Sequence, residues 1–294
     1  MYITALLFAV HPLQVESVAW ISASKIPLST TFYFAGAIML IKHLRKPDYW
    51  WYTCALAMQL VAYLSKEQAV VFPLLATLLY LWYGVRPQDK NFWLGIVPFY
   101  LLGLASVIHE VFYVANYDQY IRGNTYAWWQ RLVFCIYSVI TYFFKWLVPV
   151  NLHWMYLFPV GMDESMPWWL ILYPVLAVFL VCSLWSWIKR PLVLSLLAFF
   201  FIHLLLVIHI TVLPRASVIA DRYIYISIIS LNFMFAYVVT GTKWLVRRPR
   251  LMIVALSFFV AVMMCVSFFR TMDWKDTKTL RSVFQVEKNI SAIR

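Results

Sequence analysis

Three short clusters set ionisable residues against long apolar runs, where a charge is costly and calls for a partner or a function. The first is His11-Pro12-Leu13-Gln14-Val15-Glu16-Ser17-Val18-Ala19-Trp20, followed by Ser22-Ala23-Ser24-Lys25. His11 and Glu16 are five residues apart, so on one helix they point about 140° from each other. Pro12 suits the first turn of a new helix, which sets Glu16 near the positive end of its dipole. Two roles fit equally: a substrate-facing pair, or a His11 cap with Glu16 paired to Lys25.

The second cluster is the corner Ser65-Lys66-Glu67-Gln68. Its lysine suits a phosphate oxygen, and the same four residues suit a solvated hairpin. The third runs from Pro214-Arg215 to Ala220-Asp221-Arg222-Tyr223-Ile224-Tyr225. Arginine is shaped for bidentate phosphate recognition, while an Arg–Asp pair at an interface is the plainer alternative. Glu16, Glu67 and Asp221 are thus the candidate catalytic acids, and His11, Lys25, Lys66, Arg215, Arg222 and Tyr223 the candidate substrate-binding residues.

No metal-ligand spacing is present. Cys54, Cys135, Cys182 and Cys265 each lie inside an apolar run without a Cys-x-x-Cys pair. His203 and His209, six apart in another such run, do not share a helix face and read as packed residues.

The segments that must position these clusters are apolar. Of 294 residues, 64 % are hydrophobic and 12 % charged, with mean hydropathy +0.78. A soluble domain carries about 25 % charged residues, so half the polar surface needed in water is missing. Trp50-Trp51-Tyr52, Trp82-Tyr83, Trp128-Trp129 and Trp168-Trp169 fit an aromatic belt at a bilayer interface. An integral, multi-pass membrane protein is expected.

Candidate spans are 26–44, 50–65, 68–84, 91–114, 128–150, 168–188, 191–213, 222–242 and 250–269, since about 20 apolar residues cross a bilayer. The expected fold is an all-α polytopic transmembrane helix bundle of about 8–10 membrane segments, covering 1–269. A short extracytoplasmic helical tail, 270–294, follows it and is expected to turn about Leu280, Val283, Phe284 and Val286. Met1–Val10 covers half a bilayer, so the reading expects the rest of that helix to lie upstream.

The net charge of +12 does not indicate nucleic acid. Lys42/Arg45/Lys46, Arg86/Lys90, Lys189/Arg190 and Lys243/Arg247/Arg248/Arg250 sit between apolar runs, as cytoplasmic loops do. That places 42–49, 86–90, 189–190 and 243–250 inside, and 11–25, 65–68, 115–127, 151–167, 214–221 and the tail outside. Parity then requires 128–150 to enter and leave on one side. Lys145 and Pro149 favour an interfacial or re-entrant helix there. Asn289-Ile290-Ser291 matches an N-glycosylation sequon.

The three clusters carry a resemblance. The stretches Leu7–Ile21, Ser65-Lys66-Glu67, Tyr142–Leu152 and Ala220–Tyr225 resemble the GT-C superfamily of membrane glycosyltransferases. Specifically, they are similar to TMTC-type O-mannosyltransferases and their bacterial relatives that end in tetratricopeptide repeats. Trp274–Ala292 looks like the approach to a first repeat.

The resemblance implies transfer of a sugar from a polyprenyl-phosphate donor to an extracytoplasmic protein acceptor, with no other cofactor. It also implies a bacterial inner membrane more readily than endoplasmic reticulum. The family's acidic catalytic motif sits in a first extracytoplasmic loop without a counterpart here. Its basic-basic-acidic triplet stands as Ser24-Lys25-Ile26, and Ile226-Ser227 displaces a customary proline. This chain alone is therefore expected not to transfer sugar. A non-catalytic scaffold holding a lipid-linked sugar or a partner protein is the alternative.

Overall fold

The computed structural model describes residues 1–115, 126–161, 164–208, 217–242 and 247–280. The helices are α1 (Tyr2–Val10), α2 (Val15–Ala19), α3 (Lys25–Arg45), α4 (Tyr49–Ser65), α5 (Phe72–Trp82) and α6 (Lys90–Ala115). There follow α7 (Trp128–Leu147), α8 (Leu172–Ser183), α9 (Trp185–Ile188), α10 (Pro191–Leu204), α11 (Ile228–Gly241) and α12 (Pro249–Asp273). The described residues are all-helical but for loops and an isolated antiparallel bridge, Tyr156–Ile219.

Local chemistry sets several of these boundaries. The Asp48 carboxylate accepts the Trp50 N–H at 2.8 Å, capping α4. Pro191 and Pro249 open α10 and α12, where a missing N–H costs nothing. Gly84, at φ 79°, ends the α5 segment in the left-handed region.

Among the described residues, three helical segments are long and apolar enough to cross a membrane: Ile21–Arg45, Lys90–His109 and Pro249–Asp273. A fourth arises if Tyr2–Val10 and Pro12–Ala19, bent by 58°, form one broken span or a re-entrant loop. This set is compatible with a multi-pass membrane protein. Several other apolar segments are helical but shorter: 168–188 breaks into a 3-10 turn, α8 and α9, and 191–213 is helical to Leu204.

The chain divides into two compact units, Ser24–Thr125 and Met1–Ala23 with Tyr126–Arg294. In the first, α3 and α4 form a close hairpin. Gly36 lets them approach, since a Cβ there would lie 3.3 Å from the Ala55 carbonyl, and the Ser29 hydroxyl donates to the Ala62 carbonyl at 2.9 Å. Tyr33, Phe72 and Phe99 are fully buried, with ring centroids 5.0 and 5.2 Å apart in sequence. Gly95 leaves room on α6 for the Tyr80 ring of α5. Arg45 donates to the Tyr83 hydroxyl at 3.0 Å, so the two loops assigned to the cytoplasm share one end of this unit.

In the second unit α1 packs on α11 and α12, and α10 on α11. Ser267 of α12 donates to the Val10 carbonyl at 2.7 Å, satisfying an acceptor that the break at His11 leaves over. One face of α7 is buried through Gln130, Phe134, Ser138 and Tyr142, at i+4 steps. It faces irregular backbone: Ser138 donates to Val218 at 3.4 Å, and Phe134 meets Phe158 at 5.3 Å. With Gln130, Arg131 and Lys145 aboard, α7 is not one of the candidate spans. It ends before Pro149 rather than containing it.

Candidate functional site

In the second unit, the sequence breaks its helices where polar groups gather. His11 stands extended between α1 and the next turn. Its Nδ1 accepts the Leu13 N–H at 3.2 Å, capping that turn, and its Nε2 donates to the Trp146 carbonyl at 2.9 Å. Trp146 in turn donates through its indole N–H to Asn232 Oδ1 at 2.8 Å. His11 is thus a cap and a tie between α7 and the chain's opening, with both ring nitrogens occupied.

Five residues on, Glu16 is completely buried. Its carboxylate is ion-paired with the Arg222 guanidinium, and its second oxygen accepts the Arg222 backbone N–H at 3.0 Å. The expected partner, Lys25, is replaced by a residue two hundred positions away. Arg222 also lies over the rings of Trp20 and Tyr223, 5.2 and 4.9 Å from their centroids, and Trp20 meets Trp274 at 5.8 Å.

Asp221 opens a 3-10 turn and points the other way. It too is completely buried, ion-paired with Arg270 and accepting the Tyr156 hydroxyl at 2.7 Å. The interfacial Arg–Asp pair expected within one cluster is therefore two pairs, each reaching a distant element. Arg270 donates further to the Leu152 carbonyl. Above this turn the Tyr142 hydroxyl accepts the Ala220 N–H at 3.1 Å and donates to the Ala220 carbonyl at 3.0 Å.

Arg270 is the residue sequence reasoning passed over. The sequence puts it at the head of an extracytoplasmic tail, yet α12 continues through Asp273 and buries it, with 6 % of its surface exposed. The signal was present: a charge directly behind Phe268-Phe269 falls under the rule that selected the other clusters. Tyr156 carried no comparable signal.

His153 stands beside this network in the 151–161 loop. Burial and then the charges of Lys145 and Arg270 push its imidazole down to about 4, so it is neutral at pH 7. Segments 11–20, 151–161, 217–221 and 270–274, all assigned to the outer side, thereby meet in one cluster with the start of the 222–242 run.

The first unit holds the remaining candidates. Lys66 and Glu67 are ion-paired, with the Glu67 side chain 47 % exposed. Partial burial pushes this carboxyl up, but the charge and hydrogen bond of Lys66, with the field of Lys25, outweigh it and leave the acid below its ordinary value. Lys25, Lys66 and Glu67 form one corner, and Glu67 is the candidate acid with open access to water.

Arg215, His209 and the Asn289 sequon lie outside the described residues. His203 is packed, bonding the Phe199 carbonyl at 2.7 Å. Among the described residues no three His, Cys, Asp or Glu gather as metal ligands. Comparison with family models, curated proteins and solved structures returned no match.

Two opposed ion pairs with fully buried carboxylates hold this cluster, and burial pushes both carboxyls up, Glu16 to about 7, against the pull of their arginines. They are effective braces. The Lys25–Lys66–Glu67 corner, partly open and holding both signs of charge, is where proton transfer or anion contact is chemically accessible.

Proposed function

We propose that this chain is the membrane core of a GT-C-type glycosyltransferase, engaging a polyprenyl-phosphate-linked sugar for transfer to an extracytoplasmic protein acceptor. One observation carries the reading. Three of the stretches that bear the family resemblance, far apart in sequence, converge in one cluster through His11–Trp146, Glu16–Arg222 and Tyr142–Ala220. Convergence of this kind is what a common scaffold requires of its signature residues.

The site roles shift accordingly. Glu16, Asp221 and Arg222 hold the scaffold, with His11 and Tyr223 beside them. Glu67, flanked by Lys66 and Lys25, is the acid placed to act as a base.

A second reading, a non-catalytic scaffold that binds a lipid-linked sugar, is favoured by the same ion pairs. Two of the three candidate acids are committed to arginines. The two readings separate on one preparation. Purified chain in phosphatidylcholine nanodiscs is given a radiolabelled polyprenyl-phosphate sugar and an acceptor peptide. Saturable binding with transfer supports the enzyme, and binding without transfer supports the scaffold. No saturable binding contradicts both.

A further inference from the structure

The first unit has a charged end that the clusters above do not use. Its α3 closes on Lys42, His43 and Arg45 in the last turn, where cations complement the negative end of a helix. Lys46 follows, and Arg86 and Lys90 belong to the turn from α5 into α6. Side chains draw these stretches together. Arg45 donates through Nε to the Tyr83 hydroxyl at 3.0 Å, and the His43 ring meets the Asp48 backbone at 3.0 Å. The Tyr52 hydroxyl of α4 donates to the Gly95 carbonyl of α6 at 3.1 Å.

The two acids at this end serve the backbone. Asp48 caps α4 through the Trp50 N–H, and Asp89 accepts the Arg86 N–H at 3.1 Å. Lys42, Arg45, Lys46, Arg86 and Lys90 are all exposed, and none of them forms an ion pair among the described residues. Neutral aromatic groups fix two of these charges instead. The Lys42 ammonium lies 4.0 Å over the Trp51 ring. The bond from Arg45 uses Nε, which leaves the terminal fork that suits a phosphate.

Tryptophans rim the same end, in the first turns of α4 and α6 and the last turn of α5. Trp50, Trp93 and Trp82 are 67, 53 and 54 % exposed, and such rings settle at the headgroup level of a bilayer. Within this unit Ile21–Arg45 and Lys90–His109 are long and apolar enough to cross one. An excess of cations held at headgroup depth matches a negatively charged lipid surface. A soluble anion gains nothing from the aromatic rim, and a zwitterionic headgroup gains little from the cations.

We propose that this end of the first unit binds the phosphodiester headgroups of anionic phospholipids, with Lys42 and Arg45 contacting phosphate oxygens and Lys46, Arg86 and Lys90 adding to the field. The inference rests on the membrane reading of the chain and involves no sugar donor. Its surface lies at the opposite end of α4 from the Lys66–Glu67 corner, 17 residues or about 25 Å away.

The test is lipid selectivity of the full chain in phosphatidylcholine vesicles. Spin-labelled phosphatidylglycerol and phosphatidylcholine are added in turn, and electron paramagnetic resonance reads the fraction of each immobilised on the protein. The chain should prefer phosphatidylglycerol severalfold, less so as salt rises. Lys42→Gln/Arg45→Gln should remove about half or more of that preference, and Lys42→Arg/Arg45→Lys should keep most of it. Lys46→Gln/Lys90→Gln changes two exposed side chains, so it should lower the preference with an unchanged melting profile, which separates lost lipid contact from misfolding. Lys189→Gln/Arg190→Gln removes the same charge from the second unit and should matter less.

Equal immobilisation of the two lipids by the wild-type chain would overturn the proposal. So would an undiminished preference in both Lys42→Gln/Arg45→Gln and Lys46→Gln/Lys90→Gln. A loss as large in Lys189→Gln/Arg190→Gln would assign the effect to net charge rather than to this surface. Abolition of the preference by inorganic phosphate at constant ionic strength would overturn the lipid assignment in favour of a free anion.

Discussion

Replacing Arg270 by methionine tests the brace at its most buried point. Asp221 has no exposed surface and Arg270 has 6 %, so neither group can turn to water when its partner is removed. The Tyr156 hydroxyl would remain on Asp221, but an uncompensated carboxylate in such a site costs about 3–5 kcal/mol. Loss of the bond to the Leu152 carbonyl adds about 1 kcal/mol.

Adding Asp221→Asn removes the stranded charge while preserving an acceptor for Tyr156. The double variant should therefore recover about 2–3 kcal/mol of that loss. The assay is reversible unfolding of the purified chain by sodium dodecyl sulfate in mixed micelles, followed by circular dichroism. An Arg270→Met variant within about 1 kcal/mol of wild type would refute the brace. Strict additivity in the double variant would refute the pairing.

Arg222→Ala should destabilise more than Glu16→Gln. The first strands a fully buried carboxylate, whereas the second leaves a guanidinium with 22 % exposure that can reach water; the same unfolding assay reads the order. Gly95→Ala drives a methyl group into the Tyr80 hydroxyl and ring and should cost about 1–3 kcal/mol; the same cost in a Tyr80→Ala background would refute the clash.

Acidification should remove the contribution of His153 while relieving Glu16, which burial pushes up to about 7. His153, held near 4 against 6.5 when unfolded, binds its proton less readily in the folded chain, so stability present above pH 6.5 is lost as pH falls from 6.5 to about 4. Glu67, depressed beside Lys66, loses its contribution at still lower pH. In thermal unfolding, the midpoint difference between the chain and a His153→Gln variant should shift against the chain as pH falls from 6.5 to about 4; a constant difference would contradict the His153 assignment. Finally, sugar transfer by the chain given donor and acceptor should depend on Glu67: Glu67→Gln should lower turnover about 10²–10⁴-fold, and turnover that survives Glu67→Gln but is lost in Glu16→Gln would reverse that assignment.

Much of the helical architecture is legible in the sequence because helices in an apolar chain need only length and composition. Each of the nine apolar runs contains a helix among the described residues, while Lys145 and Pro149, which mark 128–150 in the sequence as interfacial or re-entrant, fall in the last turn of α7 and just beyond it. The breaks at Leu184 and after Leu204 are not legible, since both fall within uniformly apolar stretches that carry no stop signal. At the site, composition exposes which residues are costly to bury but not whom they meet. For Glu16 the sequence offers only near neighbours such as Lys25, nine positions away. Its partner, Arg222, is supplied by tertiary packing. Arg270 escaped notice because it ends a span, where a basic residue is an ordinary interfacial anchor.

The central claim is a membrane core built to hold a lipid-linked sugar. Equilibrium binding of a radiolabelled polyprenyl-phosphate sugar to the purified chain in phosphatidylcholine nanodiscs tests it directly, with unlabelled polyprenyl phosphate and polyprenol as competitors. The account predicts saturable binding that polyprenyl phosphate displaces and polyprenol does not. Binding that rises linearly with donor, or yields equally to both competitors, would contradict it.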